Sequence, residues 1–137
     1  MNEQVVTFLT NLSEFLIFFV VASALALFFV FVYTRVTRHN ELALIKENST
    51  AAAVAFSGSL IGFALPLAII KFYSVNVIEL VLWGVIALIV QVLVYLLIRL
   101  PMPRISERIQ KDEVAAGIWL GTCSLVAGIL NAASMTT

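Results

Sequence analysis

FLIFFVVASALALFFVFVY, residues 15–33, runs for 19 side chains without a charge. Three more such runs follow: Ala51–Ile70, Leu80–Ile98 and Val114–Ala133. A helix needs about 20 apolar residues to cross a ~30 Å hydrocarbon slab, so each run is long enough to span a membrane. The reading is an all-α membrane protein with four transmembrane helices.

Composition agrees. The 137 residues are 62% hydrophobic and only 12% charged, about half the usual charged share of a soluble domain. Mean hydropathy is +1.08. Net charge is zero, so no overall field draws the chain to nucleic acid. The one cysteine, Cys123, excludes an intramolecular disulfide and a cysteine-based zinc site. The stretch before Phe15 carries Glu3 and Glu14 but no base, unlike the basic start of a secretory signal. The first run therefore reads as a retained helix.

Basic residues set the orientation. Arg35, Arg38 and Lys46 lie between runs one and two, and Arg99, Arg104, Arg108 and Lys111 between runs three and four. Only Lys71 falls on the other side. Short loops rich in Lys and Arg stay in the cytoplasm, which places both termini outside, in the periplasm of a Gram-negative cell.

A shift of 64 residues lays Arg35 on Arg99, Ile45 on Ile109, and Ala51-Ala52-Ala53 on Ala115-Ala116-Gly117. The expectation is one membrane domain, 1–137, made of two parallel two-helix repeats, about 12–71 and 76–135. Each basic loop is expected to hold a short interfacial helix. Asn40 would cap the first, with Leu42 and Ile45 on its apolar face; Ser106 would cap the second, with Ile105 and Ile109 on its own.

Runs two and four carry small residues in a stripe: Ala51, Ala55, Gly58 and Gly62, then Gly117, Gly121, Ser124 and Gly128. Without a hydrophobic drive in lipid, helices associate through close backbone approach, so these are the expected packing surfaces, within one chain or across a dimer. Runs one and three, rich in Phe, Leu, Val and Ile, are expected outside. Pro66 removes a helical bond to the carbonyl of Gly62 and predicts a kink.

At ~1.5 Å rise per residue, Ser57, Gln91 and Thr122 fall at one depth, ~10–12 Å below the cytoplasmic surface. An amide left bare in hydrocarbon costs several kcal/mol, so Gln91 needs partners there, and the three residues form a candidate polar layer. His39 stands alone in its loop and reads as an interfacial side chain. The runs hold no acid and no histidine, so no catalytic, cofactor or metal site is expected. Lys71 and Glu79 flank the outer turn, 72–78, and are candidates to pair.

Asn40-Glu41, Thr50-Ala51-Ala52, Ala55-Phe56-Ser57-Gly58, Gly62 and Pro66 resemble the YjfL-type uncharacterised inner-membrane proteins of bacteria. Arg99-Leu100, Met102-Pro103, Ala115-Ala116-Gly117, Gly121-Thr122 and Asn131-Ala132-Ala133 extend the resemblance to the C-terminus. It implies a multi-pass protein of the cell inner membrane, a domain in two copies, and a part in membrane maintenance. It supplies no established catalytic or binding residue to carry over.

The expected function is non-enzymatic: a homo-oligomeric or scaffold component in envelope integrity or stress response, with membrane lipids and further copies as partners. The alternative is a small-solute or ion channel or transporter lined by Ser57, Gln91 and Thr122.

Overall fold

The computed structural model describes residues 2–71 and 76–135. Six helices follow one another: α1 (Glu3–Val36), α2 (Glu41–Lys46), α3 (Thr50–Ile70), α4 (Val77–Arg99), α5 (Ile105–Gln110) and α6 (Val114–Ser134). No strand occurs among the described residues. α1, α3, α4 and α6 are long and apolar enough to cross a membrane, and α2 and α5 are single six-residue elements between them. The fold is an all-α membrane protein. Most of the expected outer turn lies outside the described residues; α4 already begins at Val77.

α3 and α6 form the centre. A methyl group on Gly58 would lie 2.2 Å from the carbonyl oxygen of Gly121, and one on Gly117 would lie 2.3 Å from that of Ala51. The two small-residue stripes thus face each other within one chain, with backbones too close for any side chain at those points. Pro66 stands inside α3, and the carbonyl it leaves without a helical donor, that of Gly62, lies against Gly128.

α4 crosses both central helices, which corrects its expected place outside. Leu80, Gly84, Ala87, Leu88, Gln91, Tyr95 and Ile98 are buried, a stripe at three- and four-residue spacing on an otherwise apolar helix. The run hid most of that stripe, because Leu, Val and Ile fill the lipid-facing positions beside it.

α1 is the outermost helix and also differs from its expected length. Asn2 caps it by accepting from the Gln4 amide at 2.8 Å, and nothing between Glu3 and Phe15 breaks a helix. Its 34 residues extend about 51 Å at ~1.5 Å each, against a slab of ~30 Å. Only Phe29 and Tyr33, near its C-terminal end, are buried. Phe29 stacks on Phe63 of α3 at 4.5 Å between ring centroids.

α2 and α5 close the end of the bundle at which α1 and α4 finish and α3 and α6 begin. Asn40 caps α2 through the Ala43 amide at 3.1 Å. Asn48 and Asp112, at φ 68° and 58°, take the left-handed turn that ends each helix, a conformation Asn and Asp tolerate. Bonds from Ser49 N to Leu44 O (2.9 Å) and from Glu113 N to Arg108 O (3.0 Å) close those turns. Asp112 then reaches across the molecule, accepting from the Ser49 hydroxyl at 3.1 Å and the Ala51 amide at 2.9 Å. Ile105 and Ile109 are fully buried under α5.

Two expectations fail here. α5 has no side-chain cap, and Ser106 points into the molecule instead. On α2 the inward residue is Glu41, while Leu42 is exposed.

Candidate functional site

A buried polar cluster forms where the end of α1, the loop 37–40, α2, α4 and α5 converge. Thr37 ends α1, its amide donating to Tyr33 O at 3.0 Å, and the chain then turns so that His39 and Glu41 both face inward. Their exposures are 3% and 1%. The Thr37 hydroxyl bonds the Oε1 oxygen of Glu41 and lies 3.2 Å from the His39 carbonyl. His39 Nε2 lies 3.4 Å from the same carboxyl oxygen. On the other side of the ring, Nδ1 is 2.9 Å from Ser106 Oγ, which is 2.5 Å from the Tyr95 hydroxyl. The Arg38 amide donates to that hydroxyl at 3.2 Å.

Burial controls the charge of this cluster. It pushes the Glu41 carboxyl above its ordinary range, against the partial relief of the Thr37 hydrogen bond. It pulls His39 down to about 4, so the imidazole is neutral at pH 7. Burial thus favours the uncharged form of both groups. Glu41 Oε2 is buried with no hydrogen-bond partner.

A second polar group lies deeper, where α1, α3, α4 and α6 meet. Ser59 Oγ is 2.9 Å from the Tyr33 hydroxyl and 3.1 Å from Ser124 Oγ. Gln91 Nε2 donates to the Ser124 carbonyl at 3.0 Å, and its Oε1 is left without a partner. The Tyr33 and Tyr95 rings meet edge to face at 6.3 Å and separate this group from the first. Both groups are closed from solvent.

The expected polar layer is not assembled. Gln91 is buried, but Ser57 and Thr122 are exposed on the outer surface of α3 and α6. Depth alone placed the three together; azimuth separates them, since successive helical residues turn by ~100°. Gln91 finds its partner on Ser124, a member of the packing stripe. Lys71 does not pair with Glu79; its ammonium sits 5.3 Å from the centroid of the Phe18 ring, beside a 420 Å³ cavity also lined by Glu14 and Asn76. Cys123 is half-buried mid-way along α6. Among the described residues no three His, Cys, Asp or Glu side chains stand close enough to hold a metal ion.

The sequence reading missed Thr37, His39, Glu41, Tyr95 and Ser106. The signal was present in the 64-residue shift, which lays Glu41 on Ile105, Ser106 on Leu42 and Tyr95 on Phe31. A polar residue where the matching position is apolar marks a place that packing does not explain.

Ser106, His39 and Glu41 have the order of an acyl-transfer triad, but the geometry opposes that chemistry. A nucleophile must reach its substrate and its base must accept a proton. Ser106 is only 6% exposed, Tyr95 already holds its hydroxyl, and burial disfavours the imidazolium.

A family model described as Domain of Unknown Function (DUF350) matches residues 7–135. The chain is 44% identical over 128 residues to the UPF0719 inner membrane protein YjfL of Escherichia coli strain K12, covering 93% of this chain and 97% of that protein. The corresponding protein of Escherichia coli O157:H7 matches with the same identity and coverage. No solved structure matches.

Proposed function

The chain belongs to the DUF350 family, and from that premise we propose a non-enzymatic inner-membrane protein that assembles with further copies of itself to maintain the envelope. Both termini are periplasmic in this reading, and the polypeptide is a duplicated unit. Support for the duplication lies in the element bounds: α5 and α6 begin and end 64 residues after α2 and α3 (41 to 105, 46 to 110, 50 to 114, 70 to 134). The two left-handed turns share that offset (48 to 112).

The observation that carries assembly is α1. α4, a helix of the same kind, buries seven residues against its neighbours, whereas α1 buries two. Phe15, Phe19, Leu27, Phe28 and Phe31 are exposed along its length. Lipid covers such a surface without penalty, but the segment before Phe15 exceeds what one bilayer covers and carries Val5, Phe8, Leu9 and Leu12 at helical spacing. A second copy of the same helix buries them.

The test replaces Cys123 with Ser and places single cysteines at Phe8, Leu12 and Leu27. Oxidation in native membranes is expected to give disulfide-linked dimers at positions on one face of α1. Monomers at every position, with a monomeric mass in native mass spectrometry, would remove the assembly reading. Transport through a layer of Ser57, Gln91 and Thr122 finds no geometric support in a single chain, because two of the three face outward.

A further inference from the structure

We propose that the buried carboxyl of Glu41 is a proton-binding site, filled from the cytoplasmic side through Tyr95, Ser106 and His39. Its ligand is the proton itself.

Position argues first. Glu41 opens α2 and Ile105 opens α5, and both side chains are buried, at 1% and 0%. On the duplicated-unit reading the two are matching positions, and at α5 the position is filled by an aliphatic side chain.

Hydrogen bonding argues second. The Thr37 hydroxyl has one hydrogen and two neighbours able to accept it, Glu41 Oε1 and the His39 carbonyl. Both contacts are satisfied together when Glu41 is protonated: the carboxyl O–H donates to Thr37, and Thr37 donates to the carbonyl. An ionised Glu41 takes the Thr37 hydrogen, leaves the carbonyl without it, and holds a charged Oε2 that no donor meets. Proton occupancy is therefore coupled to the loop 37–40 through Thr37.

The surroundings supply no cation to replace the proton. The groups around Glu41 are Tyr33 of α1 and Thr37 and His39 of the loop, with Ser106 of α5 and Tyr95 of α4 on the far side of the His39 ring. α3, packed on α2, has no ionisable side chain. Arg99 lies over the Tyr95 ring, and Lys46 is exposed at the far end of α2. Among the described residues no Lys or Arg forms an ion pair with Glu41.

The path follows the donors. The Arg38 amide holds the Tyr95 hydroxyl, Tyr95 donates to Ser106, Ser106 donates to His39 Nδ1, and His39 Nε2 lies 3.4 Å from Glu41 Oε1. As Nε2–H breaks and the Glu41 O–H forms, Nδ1 accepts the Ser106 proton, so the imidazole stays neutral. Ser106 is restored from Tyr95, and Tyr95 takes its proton from solvent hydronium on the cytoplasmic side, beside the loop 37–40 where the Arg38 side chain is exposed. Among the described residues no hydrogen bond joins this path to the deeper group at Tyr33, Ser59 and Ser124. The site binds a proton and does not pass it across the membrane.

Infrared pH titration of the full chain in lipid vesicles tests this. The seven other acidic side chains are exposed, so a protonated-carboxyl band persisting above the ordinary glutamate midpoint of 4.5 belongs to Glu41. The band is expected at pH 7 in the wild type and lost in Glu41→Gln, an isostere of the protonated acid. Its absence from the wild type at pH 7 overturns the proposal without any variant, and so does its survival in Glu41→Gln. Capture of Ser106 by a fluorophosphonate in intact membranes would also overturn it, since the cluster would then be an open acyl-transfer site.

Discussion

Glu41 and His39 respond to pH in opposite directions, and the signs follow from burial. The folded His39 titrates at about 4, below its ordinary 6.5, so the unfolded chain binds the extra proton. Its stabilisation is fully present above pH 6.5 and lost as pH falls toward 4, by up to roughly 3 kcal/mol. His39→Asn should flatten the loss of thermal stability between pH 6.5 and 4, followed by melting in mild detergent; an unchanged acid limb would show the ring is solvated. Glu41 has a raised folded value, so its contribution is present below 4.5 and lost as pH rises through that value. Glu41→Gln should therefore melt higher than the wild type at neutral and alkaline pH and differ little from it in acid. In the sequence His39 reads as an isolated interfacial side chain and Glu41 enters only within the Asn40-Glu41 motif, with no buried role for either.

At the level of elements, the α3–α6 contact is the least forgiving. A side chain at Gly128 meets the Gly62 carbonyl at 2.3 Å, a backbone atom that moves only if the helices separate. Gly128→Val should cost more than about 3 kcal/mol or prevent assembly of the bundle. Gly84 offers a control, because its added methyl meets Leu25 Cδ1 at 2.8 Å, the far end of a flexible side chain. Gly84→Ala should stay within about 1 kcal/mol, helped by the helix propensity of alanine. Unfolding in graded denaturing detergent separates the two; equal losses would mean that backbone contact is not what holds α3 to α6. The stripe was legible because glycine and serine at four- and three-residue spacing have few other uses in a lipid-solvated helix. The buried stripe of α4 was not, because Leu and Val serve lipid and protein equally well.

Across the whole molecule, seven basic residues lie at the end closed by α2 and α5 and one at the other, which predicts that this end stays in the cytoplasm. In a Cys123→Ser background, a cysteine at Asn2 should react with an impermeant thiol reagent added to intact cells. One at Glu47 should react only after the membrane is opened; the reverse pattern would invert the orientation. Four spans and the two small-residue faces follow from local chemistry: run length against slab thickness, and side-chain size against backbone approach. Those quantities are properties of a residue and its near neighbours, so they can be read in one dimension. The meeting of Thr37, His39 and Glu41 with Tyr95 and Ser106 is of another kind, because it joins residues 11 to 67 positions apart. It depends on how far each helix is rotated about its axis, and only packing against the other helices sets that rotation. The same rotation turned Ser57 and Thr122 outward and left Gln91 inside.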